Sequence, residues 1–308
     1  MTFSPGLDYS PMPDPAGRGI YFVNGKLSGH LTAYDTRKQQ SVEIASEDVS
    51  QPEISPDRKR VMYVKTVAPD QTELWVSDIG GRNRIRVASG GFLSTGDWSP
   101  DSSELAFADI TGGESKGYVV GRDGRGLRQI RGAEGLIAWI TWSADGKSLY
   151  LTSLGGSPRP TIWKADADSS RAERFLDGCC FAWDADPSGH FLVGGLLSGD
   201  SAGIYEISIA DKKCVPLRPG VEFFQARFAR DGKSFIFPVA RGQEVSFYRQ
   251  AWLRGKITGT PQVALKLPFA FSLAFQGGNA LDFSRDLSTI VYASSTRQAD
   301  LYFLNPAR

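Results

Sequence analysis

The chain has 308 residues, with 35 Lys and Arg against 34 Asp and Glu, and 41% of its residues are apolar. A net charge of +1 gives no electrostatic ground for binding nucleic acid or an anionic membrane surface. No apolar run reaches the roughly 18 residues of a membrane helix, so no membrane insertion is expected, and 34 Gly with 17 Pro suit an all-β chain rich in turns.

A short pattern recurs along the chain: an apolar strand end, a turn carrying Asp, then a strand alternating apolar and polar residues. A degenerate copy, Ser10-Pro11-Met12-Pro13-Asp14, precedes Ile20-Tyr21-Phe22-Val23. Glu53-Ile54-Ser55-Pro56-Asp57 then leads into Val61-Met62-Tyr63-Val64, and Asp97-Trp98-Ser99-Pro100-Asp101 into Leu105-Ala106-Phe107-Ala108. The clearest copy is Thr141-Trp142-Ser143-Ala144-Asp145-Gly146 before Leu149-Tyr150-Leu151. Its Ser, Asp and Gly suit successive corners of a tight turn, and the flanking residues a half-buried hairpin. Ala182-Trp183-Asp184-Ala185-Asp186, Arg227-Phe228-Ala229-Arg230-Asp231 and Asp282-Phe283-Ser284-Arg285-Asp286 continue the series.

Between Asp14, Asp57, Asp101, Asp145, Asp186, Asp231 and Asp286 the intervals are 43, 44, 44, 41, 45 and 55 residues. A period of roughly 40–45 residues with four short strands is that of a propeller blade. Third strands are read at Glu73–Asp78, Thr161–Asp166, Gly203–Ile207 and Asp300–Leu304, and an outer strand in the Arg-rich stretch Arg82–Val87. After Leu304 no fourth strand follows, and residues 2–7 are placed to supply it. Residues 1–308 therefore read as one all-β domain, a propeller of seven four-stranded blades closed by both chain ends. Six blades is the alternative, if the degenerate first copy is only a packing arm.

The N-terminus has no charged stretch followed by an apolar one, so no signal peptide is expected. The chain reads as cytoplasmic, or as a domain excised from a longer, membrane-anchored receptor, which would place it outside the cytoplasm. Cys179, Cys180 and Cys214 argue against a disulfide framework and read as small apolar residues of the fourth blade. With His30 and His190 as the only histidines, no spacing fits a zinc site.

Chemistry has three places to hide. Gly199-Asp200-Ser201-Ala202-Gly203 has the G-x-S-x-G spacing of a nucleophile elbow, but a strand pattern rather than a helix follows it, so it reads as a hairpin loop. The position four before each turn aspartate should line the central channel: Ser10, Glu53, Asp97, Thr141, Ala182, Arg227 and Asp282. Glu53, Asp97 and Asp282 at one level could hold Ca²⁺ through oxygen ligands, or pair with Arg227 across the channel. Finally, the 265–279 segment carries Phe269, Phe271, Phe275 and Asn279, an aromatic loop that either plugs one mouth of the ring or binds a partner there.

The copies Trp98-Ser99-Pro100-Asp101 and Trp142-Ser143-Ala144-Asp145-Gly146, with the strands that follow them, resemble the PD40 or WD40-like repeats of TolB-type propellers. The stretches from Pro261 to Phe269 and from Gly278 to Ala293 are similar to the C-terminal end of bacterial signalling proteins in which such a propeller follows a serine/threonine kinase or winged-helix domain. The repeat architecture, the lack of a catalytic constellation in the sequence and that resemblance together lead to the expectation of a non-enzymatic sensor or scaffold that binds a protein or small ligand at one mouth, with no cofactor. The alternative is a metal-dependent lactonase or lyase acting in the channel.

Overall fold

Strands that are buried on both faces need apolar residues at successive positions, and β-branched or aromatic ones fit best. Val61-Met62-Tyr63-Val64 and Leu149-Tyr150-Leu151 are such runs, and every one of these side chains is buried. The computed structural model describes residues 7–46, 48–155, 159–169, 171–196, 199–220, 225–241, 244–253, 255–268 and 280–304, and shows them as a ring of antiparallel sheets.

In chain order the strands are β1 (Leu7–Pro13), β2 (Ile20–Asp35) and β3 (Gln40–Ser46), followed by five four-stranded meanders. The first blade is β4 (Val49–Ile54), β5 (Arg60–Ala68), β6 (Gln71–Asp78) and β7 (Ile85–Gly90). The second is β8 (Phe92–Trp98), β9 (Glu104–Thr111), β10 (Glu114–Gly121) and β11 (Arg128–Ile130). The third is β12 (Leu136–Trp142), β13 (Ser148–Leu154), β14 (Thr161–Asp166) and β15 (Ala172–Leu176). The fourth is β16 (Phe181–Ala185), β17 (Phe191–Leu196), β18 (Gly203–Ser208) and β19 (Lys213–Pro219). The fifth is β20 (Arg227–Phe228), β21 (Ser234–Arg241), β22 (Glu244–Leu253) and β23 (Lys256–Lys266). Last come β24 (Leu281–Phe283) and β25 (Thr289–Leu304).

The sixth sheet joins the two ends of the chain. β24 pairs with the start of β25, β25 with β2 over 16 residue pairs, and β2 with β3. The far halves of β2 and β25 run on together, with β1 added along β2. Closure by both chain ends is therefore present, but its parts differ from the sequence reading. Asp300–Leu304 continues β25 rather than forming a third strand, and β2 and β3 supply the third and fourth strands of the blade. The first repeat copy has no sheet of its own among the described residues, so the sheets number six, the packing-arm alternative. Its hairpin lacks the apolar alternation that would fill a blade: Met12 and Ile20 lie exposed.

Six core clusters match this count, each lying between neighbouring blades. Period-2 alternation sends the side chains of one strand into two of them. On β13, Leu149 and Leu151 enter the cluster shared with the second blade, while Tyr150 enters the one shared with the fourth. Among the described residues no helix is long and apolar enough to cross a membrane.

Candidate functional site

The six turns at the inner ends of the blades share one geometry. The N–H of Ser99 donates to Glu104 O at 2.9 Å, and the N–H of Ser102 back to Ser99 O at 2.8 Å. Ser55, Ser143, Asp186, Ala229 and Ser284 make the same pair of bonds. Three residues later the backbone is left-handed in every blade, at Arg58, Ser102, Gly146, Gly189, Gly232 and Leu287, with φ between 57° and 74°. This is a type I turn followed by a left-handed residue, which suits the glycines and strains the others. The turn aspartate caps it: Asp145 Oδ1 accepts from Ser143 Oγ at 2.7 Å and from Lys147 N at 3.1 Å.

This register corrects the sequence reading of the fourth blade. Asp186 occupies the place of the turn serine, accepting from His190 N at 2.8 Å and Phe191 N at 2.7 Å, while Ser188 takes the place of the aspartate. The channel residue of this blade is thus Asp184, not Ala182. Ser10 lies on β1 and outside the ring. The lining positions are Glu53, Asp97, Thr141, Asp184, Arg227 and Asp282, each two residues before its turn.

Three of the four acids reach forward to the next blade. Asp282 Oδ2 accepts from Ile54 N at 2.6 Å, Asp97 Oδ2 from Trp142 N at 3.3 Å, and Asp184 Oδ2 from Phe228 N at 2.7 Å. Two arginines pair with three of the four acids. Arg227 Nη2 contacts both Glu53 and Asp282, the latter at 2.9 Å, and with its amide oxygen turned inward Gln225 accepts from Arg227 Nε at 3.1 Å. Arg285 Nη2 lies 2.6 Å from Asp184 Oδ1 and its Nη1 donates to Phe228 O.

Glu53 and Asp282 converge on the guanidinium of Arg227, the pairing that the sequence offered beside a metal. Asp97 stands apart, accepting from Trp98 N at 2.8 Å and making no ion pair among the described residues. Ca²⁺ needs six to eight oxygen ligands, and here a fixed cation already occupies two of the three carboxylates proposed for it. The donor set does not fit that ion. The other candidates, Phe269, Phe271, Phe275 and Asn279, lie outside the described residues.

Burial sets the acid strengths. It pushes Asp97 up to about 6, with Arg227 pulling it back and Asp184 adding to the rise. Asp184 and Asp282 are also raised by burial, against the pull of Arg285 and Arg227 respectively. Burial works to lower Arg227, but Asp282 and then Glu53 outweigh it and hold the proton firmly. At the turn, burial tends to raise Asp286, yet Ser288, Ser284 and Arg58 hold it at about 2.

These shifts predict a stability maximum in mild acid. Asp286, with a lowered pKa, contributes above about pH 4 and loses that contribution as the pH falls toward 2. Asp97, with a raised pKa, contributes fully below about 4 and loses that contribution as the pH rises to about 6. Urea midpoints should fall between pH 4 and 7, and Asp97→Asn should reduce that fall by up to about 2–3 kcal/mol. An unchanged pH profile in the variant would remove Asp97 as the cause.

Above these residues a cavity of about 320 Å³ opens at the turn side of the ring. Its floor holds Asp97, Asp184 and Arg227, its walls Ile54, Trp98, Trp142 and Phe283, and its rim Pro56, Pro100, Pro187, Arg230 and Arg285. The elbow-like Gly199–Gly203 stretch lies elsewhere: β18 follows it directly, and Ser201 Oγ accepts from Arg159 Nη2 at 2.6 Å, so it is a hairpin turn.

The fold is similar to that of a putative TolB from Agrobacterium tumefaciens, with a TM-score of 0.63 and 17% identity, covering 88% of this chain and 99% of that one. It is also similar to an oligogalacturonate lyase solved in complex with manganese, with a TM-score of 0.55 and 14% identity over 80% of this chain and 77% of that one. A curated relative, the uncharacterized peptidase YuxL of Bacillus subtilis, is 29% identical over 115 residues, which are 35% of this chain and 18% of its own length. The chain therefore spans less than a fifth of that relative. Proteins named as a peptidase and a lyase overturn the expectation of a non-enzymatic module, because the same fold serves enzymes as well as binders. The TolB β-propeller domain family, PD40, matches residues 20–178, and the chain belongs to it.

Proposed function

We propose that this propeller recognises a polypeptide partner at its turn-side mouth, taking a cationic group of that partner onto Asp97. The observation that carries this is a charge mismatch. Glu53 and Asp282 share Arg227, while Asp184 is paired with Arg285 and Asp286 with Arg58 at 2.7 Å. Asp97 on the floor and the exposed Arg230 on the rim make no ion pair among the described residues. A peptide with a lysine or amine pointing inward and an acidic group outward complements that pair. The exposed rings of Pro56, Pro100 and Pro187 offer the aliphatic stem an apolar wall.

Calorimetric titration with N-acetyl-lysine amide and its apolar isostere N-acetyl-norleucine amide tests the reading. The lysine compound should bind the tighter of the two, lose affinity as the pH falls below about 6, and bind Asp97→Asn about tenfold more weakly. Equal binding of both compounds, or an unaffected variant, would refute it.

A second reading is favoured by the stretch shared with YuxL. In it the same mouth admits a peptide substrate to a catalytic unit. Release of a chromogenic amine from peptide amides by a protein that carries this propeller beside a catalytic unit, blocked by the lysine compound, would support that reading.

A further inference from the structure

At the join of the third and fourth blades three sulfurs meet, none of them lining the mouth. The expectation of no disulfide does not hold: Cys179, on the link from β15 to β16, is bonded to Cys214 on the outer strand β19. The sequence could not place them together because 35 residues separate them, and β19 brings Cys214 back beside the link only after the whole blade has folded. Cys180 is a free thiol, fully buried, with its Sγ 3.5 Å from that of Cys179 and 3.9 Å from that of Cys214.

We propose that Cys179, Cys180 and Cys214 form a redox-gated site for one soft divalent cation of the zinc class, shut by the disulfide and opened by its reduction. A d¹⁰ cation bound by thiolates at about 2.3 Å holds them about 3.8 Å apart in a tetrahedral arrangement. Cys180 already stands at such distances from both partners, so only the Cys179–Cys214 edge has to open. All three ligand atoms lie within 4.8 Å of one another.

The chemistry balances in two steps. A dithiol delivers two electrons and two protons to the Cys179–Cys214 bond and is itself oxidised to a disulfide. The cation then displaces three protons from three thiols, leaving a centre of formal charge −1. Arg159, near enough to favour the Cys180 thiolate, offsets that charge; without a cation, burial holds this thiol strongly protonated. Half-buried Cys214 is the point of entry for the reductant, since Cys179 and Cys180 are wholly enclosed.

The test uses the full chain, reduced anaerobically with a phosphine, checked for a cooperative thermal transition, and titrated with Cd²⁺ while the ultraviolet thiolate-to-cadmium band is followed. Reduced protein should bind one equivalent and melt at a higher temperature when loaded, and oxidised protein should bind none. Cys180→Ser, which keeps the disulfide pair, should lose about a third of the band and bind about 100-fold more weakly. The proposal is overturned if reduced, folded protein binds no Cd²⁺, if Cys180→Ser binds as well as the parent, or if reduction abolishes the cooperative transition.

Discussion

Arg227→Met is expected to cost about 3–5 kcal/mol of stability, more than any other single substitution in the channel, because it leaves two buried carboxylates without their cation. Glu53 and Asp282 are both 0% exposed, and the guanidinium that joins them is fixed further by Gln225. The methionine keeps most of the stem's volume, so the loss reports charge rather than a cavity. Adding Glu53→Gln and Asp282→Asn to the variant should restore much of the stability, since two neutral amides in that space need no counter-ion. Urea unfolding of the single and triple variants decides the matter. A single variant within about 1 kcal/mol of the parent would mean that water reaches the carboxylates and the triad does not hold the ring together.

That triad was half legible in the sequence. The period of the turn aspartates placed Glu53, Arg227 and Asp282 on equivalent strand positions, and equivalent positions in a closed ring must face one another. Asp184 was missed because the fourth turn reads Asp186-Pro187-Ser188-Gly189, with acid and hydroxyl exchanged relative to Ser-Pro-Asp. Counting from Asp186 as though it were the capping aspartate slid the register by two residues. A backbone signal was available, since Gly189 takes the left-handed place that Gly146 and Gly232 take. Counted from the residue that donates to the far side of each turn, the intervals from Ser55 to Ala229 become 44, 44, 43 and 43. What no pattern could reveal is which acid stays unpaired. Asp97 and Asp282 sit in near-identical local sequences, Asp-Trp-Ser and Asp-Phe-Ser, and differ because Arg227 reaches one and not the other.

The joint between the chain ends should be the second point of failure, and two truncations separate its parts. Removing residues 1–19 takes away β1, which lies along the projecting half of β2, where Met12 is 66% exposed and contributes little buried surface. That variant should melt within a few degrees of the parent. Removing residues 1–35 also takes β2, and with it Leu31, Ala33 and Tyr34, which fill the clusters on either side of the sixth blade. β25 would then present an open edge along 16 residues, and β3 would have no strand to pair with. Loss of the cooperative transition and concentration-dependent aggregation are expected. A milder variant guards against a chain that cannot be purified: Leu31→Ala should cost about 2–5 kcal/mol, the range for a fully enclosed leucine. If the longer truncation still unfolds cooperatively near the parent's temperature, the five continuous meanders are sufficient by themselves. The ring would then owe its stability to contacts between neighbouring blades, and not to the strand that closes it.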